Sequence, residues 1–371
     1  MIEIREVKTR KEIKDFINFP LDLYKNVPYF VPCLYMDEKK LFKKNQFSST
    51  CDTVYYNAYI DGIMVGRISG IIQKSANEKW KTKNVRFTRF DSINNQEVAN
   101  MLFDKVTLWA KEKGMDTIIG PLGFSDLERE GLLIEGFDKF STFEEQYNYD
   151  YYQKLIESYG FSKDIDWIEQ ELRIKEYDQK VIDLRDKILA RYNLHIGKFK
   201  SINEFIKKYA DQFFEQIDIT YSQLYGTVPL NDEMKKALIS GFKTIVTTEH
   251  ILTVLNDKDE IVTFAICFPS IGKAVRDCKG KLTPKGIMGI LKAKKSWEVI
   301  DLGLVGVRPD YLNKGLPVAM IAALQEFLVD KHIEHMETNL NLEDNTAILN
   351  LFTRFDGKVV KRRRCFIKKI D

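Results

Sequence analysis

The chain contains few cysteines and histidines, and they are not arranged for structural chemistry. Five cysteines and four histidines occur among 371 residues. The cysteines are odd in number and scattered, and no CxxC or HxxxH spacing is present. A disulfide framework and a zinc site are therefore not expected, and reduced cysteines are typical of a cytoplasmic protein.

Long apolar runs and an excess of one charge are also missing. No segment approaches the roughly 18 consecutive apolar residues of a membrane-spanning helix, and the charged N-terminal residues 1–6 do not resemble a signal peptide. The 57 basic and 54 acidic residues leave a formal charge of only +3. Neither nucleic acid nor a membrane is therefore expected as a partner, and the cytoplasm is the expected location.

Material for hydrophobic cores is plentiful. The chain has 24 Phe and 17 Tyr, and 44% of its residues are apolar. Its length exceeds that of one average domain, so two domains of roughly 150 to 200 residues each are expected. Residues 1–175 and 193–371 show the same order of predicted elements, and a charged helix is predicted to join them over residues 176–192.

Two segments stand apart from this repeated pattern. Residues 273–295 are rich in lysine and have no counterpart in the first half, so they are predicted to form an insertion or a mobile loop beside the cleft. Near the C-terminus, the basic run at residues 361–364 alternates along a predicted strand. That pattern favours a solvated edge of the sheet over a nucleic-acid contact.

The most informative segment is a strand, a turn and a long helix that begin at residue 298. A strand that enters a helix through a glycine-containing turn presents unpaired backbone N–H groups near the positive end of the helix dipole. Such a group of donors favours a bound diphosphate. The donors predicted here are the backbone N–H groups of Asn313, Lys314, Gly315 and Leu316.

This segment resembles the phosphate turn of the GNAT N-acyltransferases over residues 304–315. Val307, Pro309, Lys314 and Gly315 stand where that family places such residues. Residues 345–352 resemble the family's N-x-x-A-x-x-L-Y helix, which implies that Asn345 contacts the pantetheine side of coenzyme A. The resemblance covers the second half of the chain, roughly residues 193–371.

The second half differs from the GNAT pattern at three positions. Leu312 replaces the usual Arg or Gln of the turn, and Pro317 replaces its last Gly or Ala. A proline in the first helical turn is compatible with the helix. Phe352 replaces the Tyr that protonates the departing thiolate in many members, and a phenyl ring has no proton to donate.

The first half also resembles a GNAT domain, but it has no phosphate turn. Residues 91–95 pass from strand to helix without a glycine or a basic residue, and Asp91 would repel a diphosphate. This half is therefore expected not to bind the cofactor. Its glycine-rich segments, residues 120–125 and 130–137, resemble uncharacterised bacterial proteins with two GNAT-like halves.

The resemblance implies an α+β fold of tandem GNAT-like domains, each with a mixed, mostly antiparallel sheet flanked by helices. It implies acetyl-CoA or another acyl-CoA as co-substrate, no bound metal, and direct transfer of the acyl group to the amino group of a small molecule. Acetyl is the expected acyl group. The backbone around Val305 and Val307 would polarise the thioester carbonyl, and Gly306 would permit an irregular strand there.

Candidate acid and base residues come from the same strand and from a segment before it. Glu298 or Asp301 would take the proton from the amine. Because these residues are three apart along a strand, only one of them can face the cleft. Tyr221 and Tyr225 lie in a stretch that often borders the acceptor site in GNAT folds, where they would act as acids or line the pocket.

Two other functions stay open. A catalytically silent GNAT-like protein that binds a ligand or a partner would explain Pro317 and Phe352. An aminoacyl transferase of the peptidoglycan-bridge type has a similar pair of domains, although its charged tRNA substrate predicts a more basic surface than this chain has. Assembly into a homodimer is left open as well.

Overall fold

The structure is a computed structural model that describes residues 1–370. Its strands, in chain order, are β1 (Ile2–Glu6), β2 (Cys51–Ile60), β3 (Ile63–Gln73), β4 (Asn84–Ser92), β5 (Thr117–Gly120), β6 (Leu132–Glu135), β7 (Ser162–Arg173), β8 (His195–Ile196), β9 (Ile251–Leu255), β10 (Ile261–Pro269), β11 (Val299–Val307), β12 (His335–Thr338), β13 (Asn341–Leu342) and β14 (Asp356–Lys369). Its α-helices are α1 (Arg10–Leu23), α2 (Tyr35–Lys40), α3 (Lys74–Trp80), α4 (Gln96–Glu112), α5 (Tyr151–Ser158), α6 (Gln179–Arg191), α7 (Ile202–Tyr221), α8 (Asp232–Ile245), α9 (Gly272–Asp277), α10 (Pro284–Ala293), α11 (Pro309–Leu312), α12 (Leu316–Asp330) and α13 (Thr346–Phe352).

One continuous sheet runs through both halves. Its strand order is β1-β2-β3-β4-β5-β14-β7-β12-β11-β10-β9-β8, and β6 and β13 pair with β14 and β7 off this path. Most neighbours are antiparallel, but β4 pairs with β5 and β11 pairs with β12 in parallel. With helices packed on the sheet, this is the predicted α+β architecture of mixed, mostly antiparallel strands, so the fold class is confirmed.

The two halves exchange their last strands. β7 ends the first half but pairs with β12 of the second, whereas β14 ends the second half and pairs with β5 of the first. β7 and β14 also pair with each other at the centre of the sheet. A division near residue 175 therefore separates the two repeats in the sequence, while the sheet of each repeat is completed by a strand of the other.

The exchange buries the basic run that sequence analysis placed at a solvated edge. Lys361 and Arg363 are only 1% and 0% exposed. Arg363 Nε donates to Glu169 at 2.6 Å, and Lys361 Nζ lies 3.2 Å from the same carboxylate and also pairs with Glu337. The edge prediction was wrong because local alternation cannot show that β5 and β7 flank β14, or that Glu169 of β7 and Glu337 of β12 supply the counter-charges.

The predicted linker forms a helix, α6, which packs against α12. Arg185 of α6 pairs with Glu326 of α12, and Ile188 of α6 reaches the first turn of α12 at Gly315. The N-terminal half begins its first helix as predicted, because Thr9 and the side chain of the residue three positions later cap each other's backbone. Among residues 1–370, no helix combines the length and apolar character needed to cross a bilayer.

The lysine-rich insertion forms helices α9 and α10 and is anchored to the first half. The Gly280 carbonyl accepts a hydrogen bond from Tyr35 N–H at 2.9 Å. A Cβ on Gly280 would lie 2.2 Å from the Cys33 carbonyl oxygen, so glycine is needed for this close approach. The segment predicted as an insertion or a mobile loop is therefore two short helices beside the boundary of the two halves.

Candidate functional site

The central feature of the second half is a pair of strands that separate. β11 and β12 pair from Val299 and His335 as far as Leu302 and Thr338. Directly after that point, the pairing of β11 with β10 shifts by one residue, which makes Gly303 a β-bulge. A Cβ on Gly303 would lie 2.0 Å from the ring of Phe268, so this position accepts only glycine.

Sequence analysis placed the irregular backbone three residues too late. Gly306 pairs regularly with Phe264 on β10. Glycine is required there because a Cβ would meet the Phe264 ring at 2.5 Å. Val307 likewise pairs with Thr263, and its side chain packs in the apolar clusters around α12. Both residues therefore belong to the paired part of the sheet, and only Val305 of the predicted strand residues borders the opening.

The polar backbone of Val305 is occupied by a side chain. Its N–H donates to the hydroxyl of Tyr221 at 2.9 Å, and the same hydroxyl donates to the Val305 carbonyl at 2.8 Å. Burial raises the pKa of Tyr221 to about 12, and the nearby Asp126 carboxylate adds to the shift. Tyr221 therefore stays protonated at neutral pH and satisfies both polar groups of the Val305 backbone.

The turn predicted to bind a diphosphate leaves two of its four predicted donors unpaired. The N–H groups of Asn313 and Lys314 both donate to the Tyr311 carbonyl, so they are used within the turn. Gly315 adopts φ +83° and precedes the first residue of α12. Within residues 1–370, neither its N–H nor that of Leu316 has a hydrogen-bond partner. The remaining donors thus lie at the N-terminus of a 15-residue helix.

Side chains crowd this turn from one side. A Cβ on Gly315 would lie 2.8 Å from Ile188 Cδ1, and the Leu316 side chain is fully buried in the same cluster. Lys314 Nζ lies 4.1 Å from the centre of the Tyr311 ring. Asn313 is exposed on the opposite side. The turn is therefore closed toward α6 and open toward Asn313.

A cavity of about 900 Å³ lies between the two halves and reaches the separated strands. Its lining includes Gly303, Val305 and Asn345, whose side chain caps α13 by accepting a hydrogen bond from the Ile348 N–H. One wall is apolar and comes mainly from the helices and sheet of the second half. The apolar residues of this wall include Phe213, Phe214, Ile217, Leu238, Phe242 and Phe268.

The other wall carries carboxyl groups, which sequence analysis did not select, and fewer guanidinium groups, those of Arg67, Arg89 and Arg129. The carboxyl groups come from the glycine-rich part of the first half: Asp126, Glu128, Glu130, Glu144 and Glu145. The sequence pattern that could have identified some of them is an acidic residue at every second position from 126 to 130. In the sequence these residues stood beside glycines that only suggested turns, so no chemistry was assigned to them.

Glu130 is the least compensated of these carboxyl groups. It is 7% exposed, and within residues 1–370 its side chain has no hydrogen-bond partner. Burial raises the pKa of Glu130 well above its ordinary value, and the carboxylates of Asp126 and Glu145 add to the shift, while Arg86 opposes it. A buried carboxyl group in this state gains strongly from a cation placed next to it.

The predicted acid and base residues lie in different surroundings. Glu298 is exposed just before β11 and does not line the cavity, so the structure does not bring it to the site. Asp301 is buried beside Glu337 and also lies outside the lining; burial raises its pKa strongly. Tyr225 does line the cavity, and its hydroxyl donates to Asp164. Burial is the main cause of its raised pKa.

The corresponding opening of the first half is filled by fixed side chains. The Ser92 N–H donates to the Tyr152 hydroxyl at 2.9 Å, and the Tyr151 hydroxyl donates to the Ser92 carbonyl at 2.7 Å. Asp91 pairs with Arg67 at 2.8 Å and also accepts from Tyr24. Phenol groups thus satisfy the strand backbone here, as Tyr221 does in the second half, and a buried ion pair lies beside them.

Comparisons with known proteins support the architecture. No protein-family profile matches the chain. Protein YghO of Escherichia coli K12 is 26% identical over 383 residues, which cover 99% of this chain and 95% of that protein. The bacterial ceramide synthase of Caulobacter vibrioides is 23% identical over 391 residues, covering 100% and 98%.

Two solved structures share the fold along their whole lengths. A tandem GNAT protein from the clavulanic acid biosynthesis pathway matches with a TM-score of 0.58 at 10% identity, covering 100% of this chain and 99% of that one. A GCN5-related N-acetyltransferase from Sphaerobacter thermophilus matches with a TM-score of 0.53 at 11% identity, covering 100% and 96%. At such low identity these matches establish a common fold.

Proposed function

The chain has the tandem GNAT fold, and on that premise we propose that it is an acyl-CoA-dependent N-acyltransferase. The observation that carries the proposal is the separation of β11 and β12 at the Gly303 bulge, which opens into the cavity between the halves. Solved structures with this fold are named as acetyltransferases. The second half would hold the acyl-CoA, and the first half would complete the acceptor pocket.

The placement of the acyl-CoA follows from the unpaired backbone groups. The N–H groups of Gly315 and Leu316 would hold the diphosphate at the start of α12. The pantetheine amides would take the polar edge of Val305, which requires the Tyr221 hydroxyl to move aside. Asn345 borders the same opening.

In the proposed reaction, the carboxyl wall prepares the amine. An acceptor ammonium group would lie against the Glu130 carboxylate and transfer one proton to it. The neutral amine then attacks the thioester carbonyl, a C–N bond forms, and the C–S bond breaks. The nitrogen must lose a second proton as the departing thiolate gains one, so a group that donates to the sulfur can be reprotonated from the nitrogen, and the products are an amide and the free thiol of coenzyme A. Tyr225 is the candidate donor of that proton, because it is protonated and lines the cavity.

The apolar wall supports an acceptor with a long alkyl chain in place of the small amine expected from the sequence. A ceramide is an N-acylated long-chain amino alcohol, and one relative is named as a bacterial ceramide synthase. A cavity of about 900 Å³ with one apolar and one acidic wall suits a molecule with an alkyl chain and an ammonium group. Sphinganine and ethanolamine are therefore the informative pair of test acceptors, with acetyl-CoA and palmitoyl-CoA as donors.

The proposal predicts how a new carboxylate at the turn changes acyl-CoA binding. Asn313→Glu places a negative charge beside the proposed diphosphate site on an exposed residue and is expected to weaken binding by about 1 kcal/mol, roughly fivefold, at low salt. Asn94→Glu is the matched control, because Asn94 is an exposed asparagine in the corresponding turn of the first half. Gly315 is unsuitable for this test, since any side chain there would be strained and would meet Ile188.

Binding of acetyl-CoA and palmitoyl-CoA to both variants is measured by isothermal titration, and amide formation by mass spectrometry. Wild-type protein saturated at a hundredfold excess over Kd should also gain about 2.7 kcal/mol of stability. Equal loss in the two variants, or no binding to the wild type, would exclude the acyl-CoA site.

A second function, ligand binding without catalysis, is favoured by the Tyr221 contact and by Phe352. Tyr221→Phe distinguishes the two. Suppose that the Tyr221 hydroxyl occupies, in the free protein, the Val305 N–H and C=O groups that an amide of acyl-CoA would otherwise bind. Removing it then costs the free protein two hydrogen bonds, whereas the complex keeps both through the bound acyl-CoA. Acyl-CoA should then bind more tightly by about 1–2 kcal/mol, roughly 5- to 30-fold, while the free protein loses a similar amount of stability.

The control for this prediction is Tyr152→Phe, which removes the corresponding hydroxyl in the first half. It is expected to lower stability without changing acyl-CoA affinity. Unchanged affinity in Tyr221→Phe would show that the Val305 edge is not used by acyl-CoA and would favour the binding protein.

A further inference from the structure

Helix α10 exposes apolar side chains that no part of the described chain covers. Ile287, Met288 and Leu291 are 44%, 64% and 54% exposed. At about 100° of rotation per residue, these three side chains cover one face roughly 100° wide. The opposite face, with Gly286, is turned toward the protein, where Ile290 packs on a cluster of both halves. An exposed apolar face of this kind marks an interaction site.

Among the residues that the structure describes, exposed lysines without ion-pair partners lie along one border of this face and in the chain before and after α10. Between residues 273 and 297 the chain has a single acidic residue, Asp277, and it pairs with the neighbouring Arg276. Lys285 and Lys292 fall on one border of the apolar face in the helical projection. The exposed lysines of the segment are Lys273, Lys279, Lys281, Lys285, Lys292 and Lys295.

We propose that α10 and its lysines form a docking surface for an anionic lipid bilayer, in which the helix lies in the plane of the headgroups. A short helix with an apolar face and a basic border binds such a surface by inserting the apolar side chains and by attracting the anionic headgroups. The sequence analysis did not predict a membrane partner, because the net charge of the whole chain does not show the local excess of lysine in this segment. The docking surface does not depend on the enzymatic proposal.

The surface lies next to the cavity. The apolar cluster under α10 includes Leu34, Phe143 and Ile245, and these three residues also line the cavity. Lys279 contributes to the cavity lining as well. A molecule in the membrane leaflet that α10 contacts would therefore be close to the cavity.

A second copy of the chain suits this surface less well. In a symmetric dimer the same patch meets itself, and the lysine borders of the two copies would face each other. The lysines of the two copies would repel each other, whereas anionic lipid headgroups would attract them. Dimerisation through α10 is thus the alternative outcome that the experiment must detect.

The test is flotation of the full-length protein with vesicles of phosphatidylcholine, with and without phosphatidylglycerol. Wild-type protein is expected to float only with the anionic vesicles. Two variants probe the two parts of the surface: Ile287→Ser with Met288→Ser and Leu291→Ser, and Lys281→Gln with Lys285→Gln and Lys292→Gln. Each is expected to bind anionic vesicles at least tenfold more weakly, since each lysine near such a surface contributes about fivefold.

The control changes an exposed helix of the first half in the same way, with Leu108→Ser, Lys105→Gln and Lys111→Gln in α4. It is expected to bind like the wild type, and thermal unfolding of all variants checks that they are folded. Absence of wild-type binding to anionic vesicles, or equal binding by the apolar triple variant, would overturn the proposal. So would a wild-type dimer in light scattering that the apolar triple variant converts to a monomer.

Discussion

Replacing Glu130 by glutamine is expected to lower kcat by about 10²- to 10⁴-fold, the usual contribution of a positioned general base. Glutamine keeps the shape of the side chain but cannot take up the amine proton. Wild-type activity should rise with pH as the buried carboxyl group ionises, because burial raises its pKa well above the ordinary value. The variant should lose this pH dependence. The measurement is amide formation from palmitoyl-CoA and sphinganine across a range of pH.

The same substitution is expected to stabilise the folded protein at neutral pH. Between the ordinary carboxyl pKa of 4.5 and the raised value, the folded protein holds a proton that the unfolded chain has lost. Wild-type stability therefore falls as the pH rises through that window. Glutamine does not ionise, so the variant does not lose this stability at neutral pH. Glu130→Gln should therefore melt at a higher temperature than the wild type. A lower melting temperature together with lost activity would mean that Glu130 has only a structural role.

Glu135→Gln provides the matched control, since Glu135 is an exposed glutamate of the same glycine-rich part of the chain. It should change neither kcat nor the melting temperature. Full activity of Glu130→Gln would remove Glu130 from the reaction and leave Glu144 and Glu145 as the bases to examine on the same wall.

Replacing Arg363 by methionine is expected to lower the free energy of unfolding by about 3–5 kcal/mol, because it leaves the Glu169 carboxylate buried with a weaker counter-charge. Arg363 is fully buried, and its Nε lies 3.5 Å from Glu145 as well as 2.6 Å from Glu169. Although burial by itself would raise the pKa of Glu169, Arg363 and Lys361 hold it below the ordinary value.

A lowered carboxyl pKa contributes stability above the ordinary value of 4.5, and that contribution is lost as the pH falls. The difference between wild type and Arg363→Met should therefore shrink in acid. Urea unfolding at neutral and acidic pH measures both effects. Lys358→Met, at an exposed position of the same strand, is the control and should stay within about 0.5 kcal/mol of the wild type. If Arg363→Met changed the free energy of unfolding equally little, Arg363 would not be an important counter-charge for the buried Glu169.

Local patterns predicted much of the second half of the chain. The strand, the glycine turn and the following helix form as expected, because each depends on residues close together in sequence. The turn at Gly315 and the helix that begins just after Asn345 are examples. The fold class was predicted from the resemblance of these segments to GNAT domains.

Features that depend on distant partners were not predictable in this way. The bulge lies at Gly303 and not at Gly306, because it is fixed by the packing of Phe268 from β10. The Lys361 and Arg363 side chains are buried because carboxylates of two other strands meet them there. The acidic wall forms only when a loop of the first half faces helices of the second. In each case the deciding contact joins residues that are far apart in the chain.

The exchange of β7 and β14 also limits how this molecule can move. β7 and β14 pair with each other at the centre of the sheet, and each completes the sheet of the other repeat. The two halves therefore cannot rotate apart without breaking the hydrogen bonds between these strands and their neighbours. Under the proposed function, donor and acceptor would therefore have to enter the cavity without such an opening motion. Turnover would then depend on small displacements at the rim, such as rotation of the Tyr221 ring, while the relative orientation of the repeats stays fixed.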